Sequence, residues 1–208
     1  MLPKQWVGVV LVGAAMGVAG PAAAMSAAEV HAGGLGRISE AALPAQLHLP
    51  AGSELVATGT VELDHGRRTV RMRQVHDGLP VYGRSIVVER GPHDEVLSVK
   101  GTLERDLDRE LTRTRPRLMP VLARRALQRE LGQAEDNVRY AQAQLFIYPG
   151  DGTPARLVYR VSYVVGWGDH LARPTALIDA DTGEVIEHWN GLAAGNHRHG
   201  GVVGSQGK

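Results

Sequence analysis

One turn constrains the fold of this chain more than any other feature: the dipeptide Asp77-Gly78, which separates two β-like segments. Glycine accepts the positive φ that a two-residue hairpin turn requires, and Asp is common beside it. The segment after the turn, 80–89, is rich in valine and isoleucine, and the segment before it, 68–75, alternates in polarity. This pattern predicts two antiparallel strands. In the first, one face carries Val70, Met72 and Gln74, and the other carries Thr69, Arg71 and Arg73.

Further strands follow on both sides of a single predicted helix. A turn at 91–94 leads to a third strand at 95–103, which completes an antiparallel meander. Apolar residues at helical spacing predict a helix from Pro120 to Leu131 that Gly132 ends. After it, strands are expected at 143–148, 156–165, 174–179 and 184–189. The whole predicts an α+β fold of two small domains, each an antiparallel sheet with one or two helices packed on it.

The same patterns divide the chain into segments 1–24, 25–50, 51–110, 116–192 and 193–208. Residues 25–39, rich in Gly, Ala and Ser, are predicted to be a flexible lead-in, and 40–49 one short helix. Residues 104–115 carry alternating charges, which is typical of a solvated connector or a surface helix face. The tail 193–208 is Gly-rich and without apolar periodicity, so we expect it to be extended or mobile.

The first 24 residues have the organisation of an export signal. Lys4 gives a short positive start, an uncharged stretch follows, and Ala22 and Ala24 form the small-x-small pattern of a signal peptidase site. The alternative is a retained membrane anchor, because the uncharged stretch from Gln5 to Ala28 is long enough to span a bilayer. The cleavage-like site favours removal of the signal, which predicts a secreted or periplasmic protein with no membrane contact afterwards.

Charge and cysteine content exclude several classes of function. The chain has 23 Lys and Arg against 22 Asp and Glu, so nothing draws it generally to nucleic acid or anionic lipid. It has no cysteine, which excludes a thiol nucleophile, a disulfide framework and a cysteine-ligated zinc site. With 43% apolar residues, the sequence is that of a folded globular protein.

The sequence lacks the motifs of common enzyme sites. It contains no H-E-x-x-H zinc motif, G-x-S-x-G nucleophile elbow, Walker loop or dinucleotide fingerprint. His197 and His199 alone are too few ligands for a metal, and Asp179 stands at a turn, where a carboxylate bonds its own backbone. We therefore expect no catalytic residue, metal or cofactor. The pattern favours a binding module, and an enzyme of unrecognised type is the minor alternative.

A strand containing Arg71 and Gln74 is followed by the turn and strand G-L-P-V-Y-G, and then by V-L-S-V-K-G-T-L at 96–103. This order resembles the fungalysin/thermolysin propeptide domain, with its Arg-x-x-Gln strand and Gly-Leu-Pro-Val-aromatic-Gly segment. Physically, glycine turns the chain, proline opens a strand where no N–H is needed, and the second glycine permits a bend or close packing. The matching residues are Arg71, Gln74, Gly78, Leu79, Pro80, Val81, Tyr82 and Gly83.

The second half carries a different set of features: an Ala-rich helix, an L-V-Y-x-V strand at 157–161, and an I-D-A-x-T-G-x-V hairpin that contains Asp179 and Gly183. It resembles a PepSY domain. The W-N-G-L segment, which begins at Trp189, resembles the sequence just before the maturation site of secreted protease precursors. Together the two halves are similar to the pro-regions of thermolysin-like proteases of the vibriolysin and pseudolysin type.

The resemblance implies an intramolecular chaperone and temporary inhibitor of a thermolysin-like zinc metalloprotease, bound to that catalytic domain in cis or in trans. It also implies a segment that lies in the protease cleft, made of Leu192, Ala193, Ala194, Gly195, Asn196, His197, Arg198 and His199. The alternative is a stand-alone secreted or periplasmic PepSY-type inhibitor or binding module that acts in trans. Whether the sequence is a fragment, a truncated gene product or a stand-alone relative stays open.

Overall fold

The computed structural model describes residues 28–111, 113–150 and 153–192. The expected signal segment, including Ala22 and Ala24, lies outside this range, and so does the chain beyond Leu192. Among the described helices, none has the length and apolar character needed to cross a bilayer.

The described part of the chain is mostly antiparallel β-sheet with few helices. The strands are β1 (Ala28–Gly36), β2 (Ser53–Glu62), β3 (Arg68–His76), β4 (Leu79–Arg90), β5 (Val96–Leu103), β6 (Arg139–Tyr148), β7 (Arg156–Val164), β8 (Pro174–Asp179) and β9 (Val185–Asn190). The α-helices are α1 (Leu43–Gln46), α2 (Leu107–Glu110) and α3 (Pro120–Glu130). A turn of 3-10 helix at Glu40–Ala42 precedes α1, so the helix expected at 40–49 is present but broken and shorter.

The predicted meander is confirmed in the first half. Strands β3, β4 and β5 pair antiparallel in sequence, and β2 adds to the outer side of β3. The alternation of β3 holds as expected: Val70, Met72 and Gln74 are buried, whereas Arg71 is exposed. Together these strands enclose an apolar core that includes Leu43 from α1 and Leu47, which directly follows this helix.

The expectation of a flexible lead-in is wrong over residues 28–36, which form β1 and pair antiparallel with β5. The pairing runs from Ala28 opposite Leu103 to Gly36 opposite Val96, and Val30 is buried in the first core. Glycine and alanine gave no visible alternation, yet small side chains suit an edge strand whose stability comes from backbone hydrogen bonds to β5.

The second half follows the predicted order of one helix and four strands. Strands β6 to β9 pair antiparallel in sequence, and α3 packs on one face of their sheet. Helix α3 ends before Gly132, whose φ of +62° closes it as predicted. The two faces of β7 separate as expected. Leu157, Tyr159, Val161 and Tyr163 lie in the core under α3, and Val158 lies on the opposite face.

The two halves are joined through their sheets. Val81 of β4 pairs in parallel with Ile147 of β6, so all nine described strands belong to one connected sheet. Each half keeps its own main cluster of buried apolar side chains. This architecture therefore does not confirm a division into two separate domains.

The connector between the halves is more buried than the charge pattern predicts. Glu104 and Leu107 are each fully buried, and Leu107, in α2, belongs to the core of the second half. The expectation of a solvated connector is wrong at these two positions. Alternating charge describes the surface of the segment but not the two side chains that anchor it.

Candidate interaction site

The turn at Asp77-Gly78 is a two-residue hairpin in which both residues have positive φ, +49° and +78°. It joins His76 to Leu79, which lie opposite each other at the end of the β3–β4 ladder. This is the backbone geometry of a type I′ turn, whose twist matches that of the strands it connects. The predicted role of Gly78 is thus confirmed, and the turn fixes where β4 begins.

The residues after the turn leave the ladder and rejoin it. Val75 pairs with Pro80, but Arg73 pairs with Ser85, so the stretch between Pro80 and Ser85 bulges away from β3. Gly83 lies in this bulge with φ of +69°, which favours glycine. The bulge carries the neighbouring strand segment out of its own sheet and toward the second half.

Because of the bulge, the Val81 side chain packs in the second half. It is 1% exposed and belongs to the core under α3, although β4 otherwise builds the first half. Its backbone pairs with Ile147, which is also fully buried. Burying a valine of this kind stabilises the contact by about 1.5–3 kcal/mol. The Gly78–Gly83 segment therefore joins the two halves.

Gln74 faces the bulge from β3 and is fully buried. Its amide Nε2 donates to the Glu104 carbonyl oxygen at 2.7 Å, and its Oε1 accepts from the Glu104 N–H at 2.8 Å. Two reciprocal hydrogen bonds satisfy a backbone unit that has left the β5 ladder. Gln74 thus fixes the start of the connector between the halves.

The Glu104 side chain forms the second part of this cluster. Its Oε2 accepts from Nε and from a terminal nitrogen of Arg84, each at 3.3 Å, while its Oε1 is buried without a hydrogen-bond partner. Burial raises the pKa of Glu104, and the adjacent Arg84 guanidinium only partly offsets that effect. Arg84 lies in the bulge, directly after Gly83, so the ion pair ties the motif to the connector.

Asp179 and Gly183 organise the turn between β8 and β9. Asp179 Oδ1 accepts from the N–H groups of Asp181 and Thr182, each at 2.9 Å, and the Gly183 N–H donates to the Asp179 carbonyl oxygen. Burial opposes ionisation of Asp179, but these backbone N–H groups and nearby Arg156 outweigh it and lower its pKa. Gly183 has φ of +78°. Both residues act in the turn, as the sequence predicts.

Trp189 belongs to the face of the second sheet that α3 does not cover. This cluster has Phe146, Val158 and Leu177 buried at its centre, with Tyr82, Tyr148, Ile186 and Trp189 packed around them. The ring of Tyr82 meets that of Phe146 edge to face, with centroids 5.8 Å apart. Tyr82 comes from the Gly78–Gly83 segment, so this segment contributes to both faces of the second sheet.

The described chain ends beside the first residues of β8. Asn190 Oδ1 accepts from the N–H of Arg173 at 3.0 Å and from that of Leu192 at 3.1 Å, and the Gly191 N–H donates to the Arg173 carbonyl oxygen. Leu192 is 44% exposed. Of the expected cleft segment, Leu192 alone is described; Ala193, Ala194, Gly195, Asn196, His197, Arg198 and His199 lie outside the described residues.

The predicted motif residues thus form three places in the fold. Gln74, Gly78, Pro80, Val81 and Gly83 meet around the hairpin and its bulge; Asp179 and Gly183 form a turn; Trp189 joins the aromatic cluster. Arg71 is exposed on the other face of β3, where its carbonyl oxygen accepts from the Thr58 hydroxyl.

Sequence reasoning missed Arg84 and Glu104, because a charged pair in a charged stretch gives no periodic signal. No set of three or more His, Asp and Glu residues within the described chain is placed to hold a metal ion.

Comparison with known proteins finds a family match within the first half. Residues 53–103 match the family model "Fungalysin/Thermolysin Propeptide Motif", which spans β2 to β5 and the whole Gly78–Gly83 segment. A solved structure, the Bacillus megaterium YpeB C-terminal domain, aligns with 65% of this chain and 56% of its own at 19% identity and a TM-score of 0.34.

Three curated proteins extend the similarity. The "Hemagglutinin/proteinase" of Vibrio cholerae is 30% identical over 69% of this chain, the "Neutral protease" of Vibrio proteolyticus 32% over 71%, and the "Virulence metalloprotease" of Vibrio anguillarum 29% over 64%. The chain spans about a quarter of the length of these relatives: 24%, 24% and 23%. The match covers their propeptide region and not their catalytic domain.

Proposed function

Because this chain is a pro-region with the fungalysin/thermolysin propeptide motif, homologous to that of vibriolysin-type metalloproteases, we propose that it assists folding of a thermolysin-like zinc metalloprotease and then inhibits it. The observation that most supports this proposal is the combination of two matches. The family motif matches residues 53–103, and the Vibrio proteolyticus relative aligns over 152 residues, well beyond the motif. The partner is the catalytic domain of such a protease.

The fold supports a template role because its two halves are fixed to each other by buried groups. Val81 lies in the core of the second half, and Gln74 and Arg84 hold Glu104 at the connector. A preformed surface binds a native-like partner without first losing conformational entropy. A ligand that binds only the folded state stabilises that state by about 4 kcal/mol when present at a thousand times its Kd.

We assign the inhibitory role to the segment from Leu192 to His199. Support comes from the position where the described chain ends: β9 is an edge strand, and Leu192 follows it into solvent. An extended segment that lies in a protease cleft excludes substrate by occupying the same backbone hydrogen bonds. Residues after Leu192 begin from a fixed point on the sheet, which raises their effective concentration at the cleft.

We further propose export through residues 1–24 and cleavage after Ala24, in keeping with the Vibrio proteases that the chain resembles. The two halves, with the predicted limits 51–110 and 116–192, are proposed to be two small domains, because each has its own main cluster of buried side chains. Val30, Leu43 and Leu47 complete the first cluster, and Val81 and Leu107 join the second.

The test uses the catalytic domains of the three Vibrio relatives, native and after denaturation. We expect the purified chain to inhibit the native enzyme at a one-to-one ratio and to raise the yield of active enzyme on refolding. A chain that ends at Gly191 should still assist refolding but should inhibit at least tenfold less, because the cleft segment is gone. A chain that ends at residue 200 is the matched control and should inhibit fully. Absence of both inhibition and refolding assistance with all three enzymes would overturn the proposal.

A further inference from the structure

Two aromatic side chains of the second half are largely exposed to solvent. Trp167 is 76% exposed and Tyr140 is 77% exposed. Aromatic side chains carry the largest apolar areas in proteins and dominate the energetics of interfaces. Neither ring belongs to any of the three apolar clusters, so packing within the described chain does not account for them.

The backbone of the loop that carries Trp167 keeps this side chain exposed. The pair formed by Val165 and Ala172, with N–H to O distances of 3.0 and 2.9 Å, closes the loop. Gly166 and Gly168, on either side of the tryptophan, have φ of +79° and +54°. A Cβ at Gly166 would lie 2.2 Å from the His170 carbonyl oxygen, so only glycine fits there.

Arg139 at the start of β6 fixes the indole in place. Its guanidinium carbon lies 3.5 Å from the centroid of the Trp167 ring, and it donates to the Gly166 carbonyl oxygen. A guanidinium over an aromatic face is a favourable contact even at the surface. The side chain is therefore held in one orientation before any partner arrives, which lowers the entropy lost on binding.

Tyr140 is exposed because of a separate feature, an irregularity in β6. Arg139 pairs with Val164, but Gln142 pairs with Ser162, so β6 holds one extra residue between them. Tyr140 lies in this bulge with φ of +50°, a conformation that costs a non-glycine residue about 1–2 kcal/mol. Bulges re-aim side chains, and strain of this kind gathers at functional sites.

These rings stand at the end of the sheet where the described chain leaves the fold. Ala172, which closes the Trp167 loop, precedes Arg173, and Arg173 holds Asn190 and Gly191 by backbone hydrogen bonds. The residues after Leu192 therefore leave the fold close to the Trp167 loop, and a partner that binds them lies close to this loop. Two contacts on one partner reinforce each other when the linker between them is this short.

We propose that Trp167, which is braced by Arg139, forms together with Tyr140 a second docking contact for the protease domain, outside its active-site cleft. The inference rests on the proposed function. Trp, Tyr and Arg are the residue types enriched among the few that carry most of an interface's binding energy. The complementary surface on the protease is a shallow apolar pocket that takes the indole edge, while the cleft receives the segment after Leu192.

The experiment measures binding of the full chain to catalytically inactive forms of the three Vibrio protease domains. Trp167→Ala should raise Kd at least tenfold, mainly through faster dissociation, and Trp167→Phe should recover part of the loss. Val61→Ala, which alters a side chain that is 61% exposed in the first half, is the matched control and should leave Kd unchanged. Unchanged Kd for Trp167→Ala, with tight binding of the unaltered chain, would overturn this inference alone. No binding by the unaltered chain would overturn it together with the proposed function.

Hydrogen exchange of the unaltered chain gives a readout that needs no variant to fold. Amides of 165–172 should exchange more slowly in the complex than in the free chain. Protection in the free chain that disappears when the chain is cut after Leu192 would make its own tail the occupant, and protection that rises with chain concentration would make a second copy the occupant. Either result would contradict docking of the protease.

Discussion

Gln74 and Glu104, which are thirty residues apart in the chain, exchange two hydrogen bonds inside the fold: the glutamine amide donates to the Glu104 carbonyl oxygen and accepts from its N–H. Both side chains are fully buried. The amide therefore replaces a missing strand as the partner of one backbone unit. This relationship explains in physical terms what a glutamine contributes at this position, since its amide both donates and accepts in one plane.

Replacing Gln74 by alanine should lower the free energy of unfolding by about 2–4 kcal/mol, because it leaves a buried N–H and a buried carbonyl unpaired and opens a cavity. Urea unfolding followed by circular dichroism measures the loss. Gln144→Ala in β6 changes an exposed glutamine and should stay within about 0.5 kcal/mol of the unaltered chain. Equal losses of unfolding free energy for the two variants would show that the Glu104 backbone does not depend on Gln74 for its hydrogen bonds.

Glu104 should make the protein less stable as pH rises through its pKa. Burial raises the pKa of this carboxyl above its ordinary value, so the folded state holds the proton more tightly than the unfolded state. Its contribution to stability is therefore fully present below the unfolded pKa and is lost as pH rises through the folded one. Because other groups titrate alike in both proteins, the free energy of unfolding of the unaltered chain minus that of Glu104→Gln should fall across this window.

Urea unfolding of both proteins at a series of pH values checks the sign. The exposed Glu184 provides the control: Glu184→Gln should give a difference that changes little over the same window. A difference for Glu104→Gln that rises with pH would mean that Arg84 outweighs burial, contrary to our assignment.

The sequence predicted the parts of the fold that repeat or turn. The Asp77-Gly78 hairpin, the alternation of β3 and the two faces of β7 follow from local patterns, and the structure confirms each. It did not predict β1, because nine residues with one buried valine show no period. It also assigned Val81 to the first half, since nothing local reveals that a bulge carries this side chain into another core.

The candidate site was predictable only in part, for the same reason. Gly78 was predicted from its turn, and Gln74 and Gly83 were singled out by resemblance, whereas nothing in the charged stretch around Glu104 distinguished that residue from its neighbours. Its burial depends on partners twenty and thirty residues away, Arg84 and Gln74. Contacts of that range are set by the tertiary fold.

Gly101 should tolerate no side chain. Its φ is +148°, and a Cβ there would lie 2.3 Å from the Ser85 carbonyl oxygen and 2.8 Å from the Ile86 Cα, both backbone atoms of β4. Gly101→Ala should therefore destabilise the chain by about 2 kcal/mol or more, since two paired strands must separate to admit a methyl group. Gly59→Ala in β2 meets open space and should change stability by less than about 0.5 kcal/mol. Thermal unfolding of both variants compares them; equal melting temperatures would contradict close contact between β4 and β5.

Val81→Ala tests the junction between the two halves. The valine is 1% exposed and lies in the second core, so losing two methyl groups should cost about 1–3 kcal/mol, whereas Val61→Ala, at a side chain 61% exposed, should cost little. Hydrogen exchange reports each half separately. If Val81 holds the halves together, the variant should speed exchange in β6 and β7 as well as in β4, although β4 alone is altered. Faster exchange confined to β4 would show that the second half is stable without this contact, and that the Gly78–Gly83 segment shapes only its own sheet.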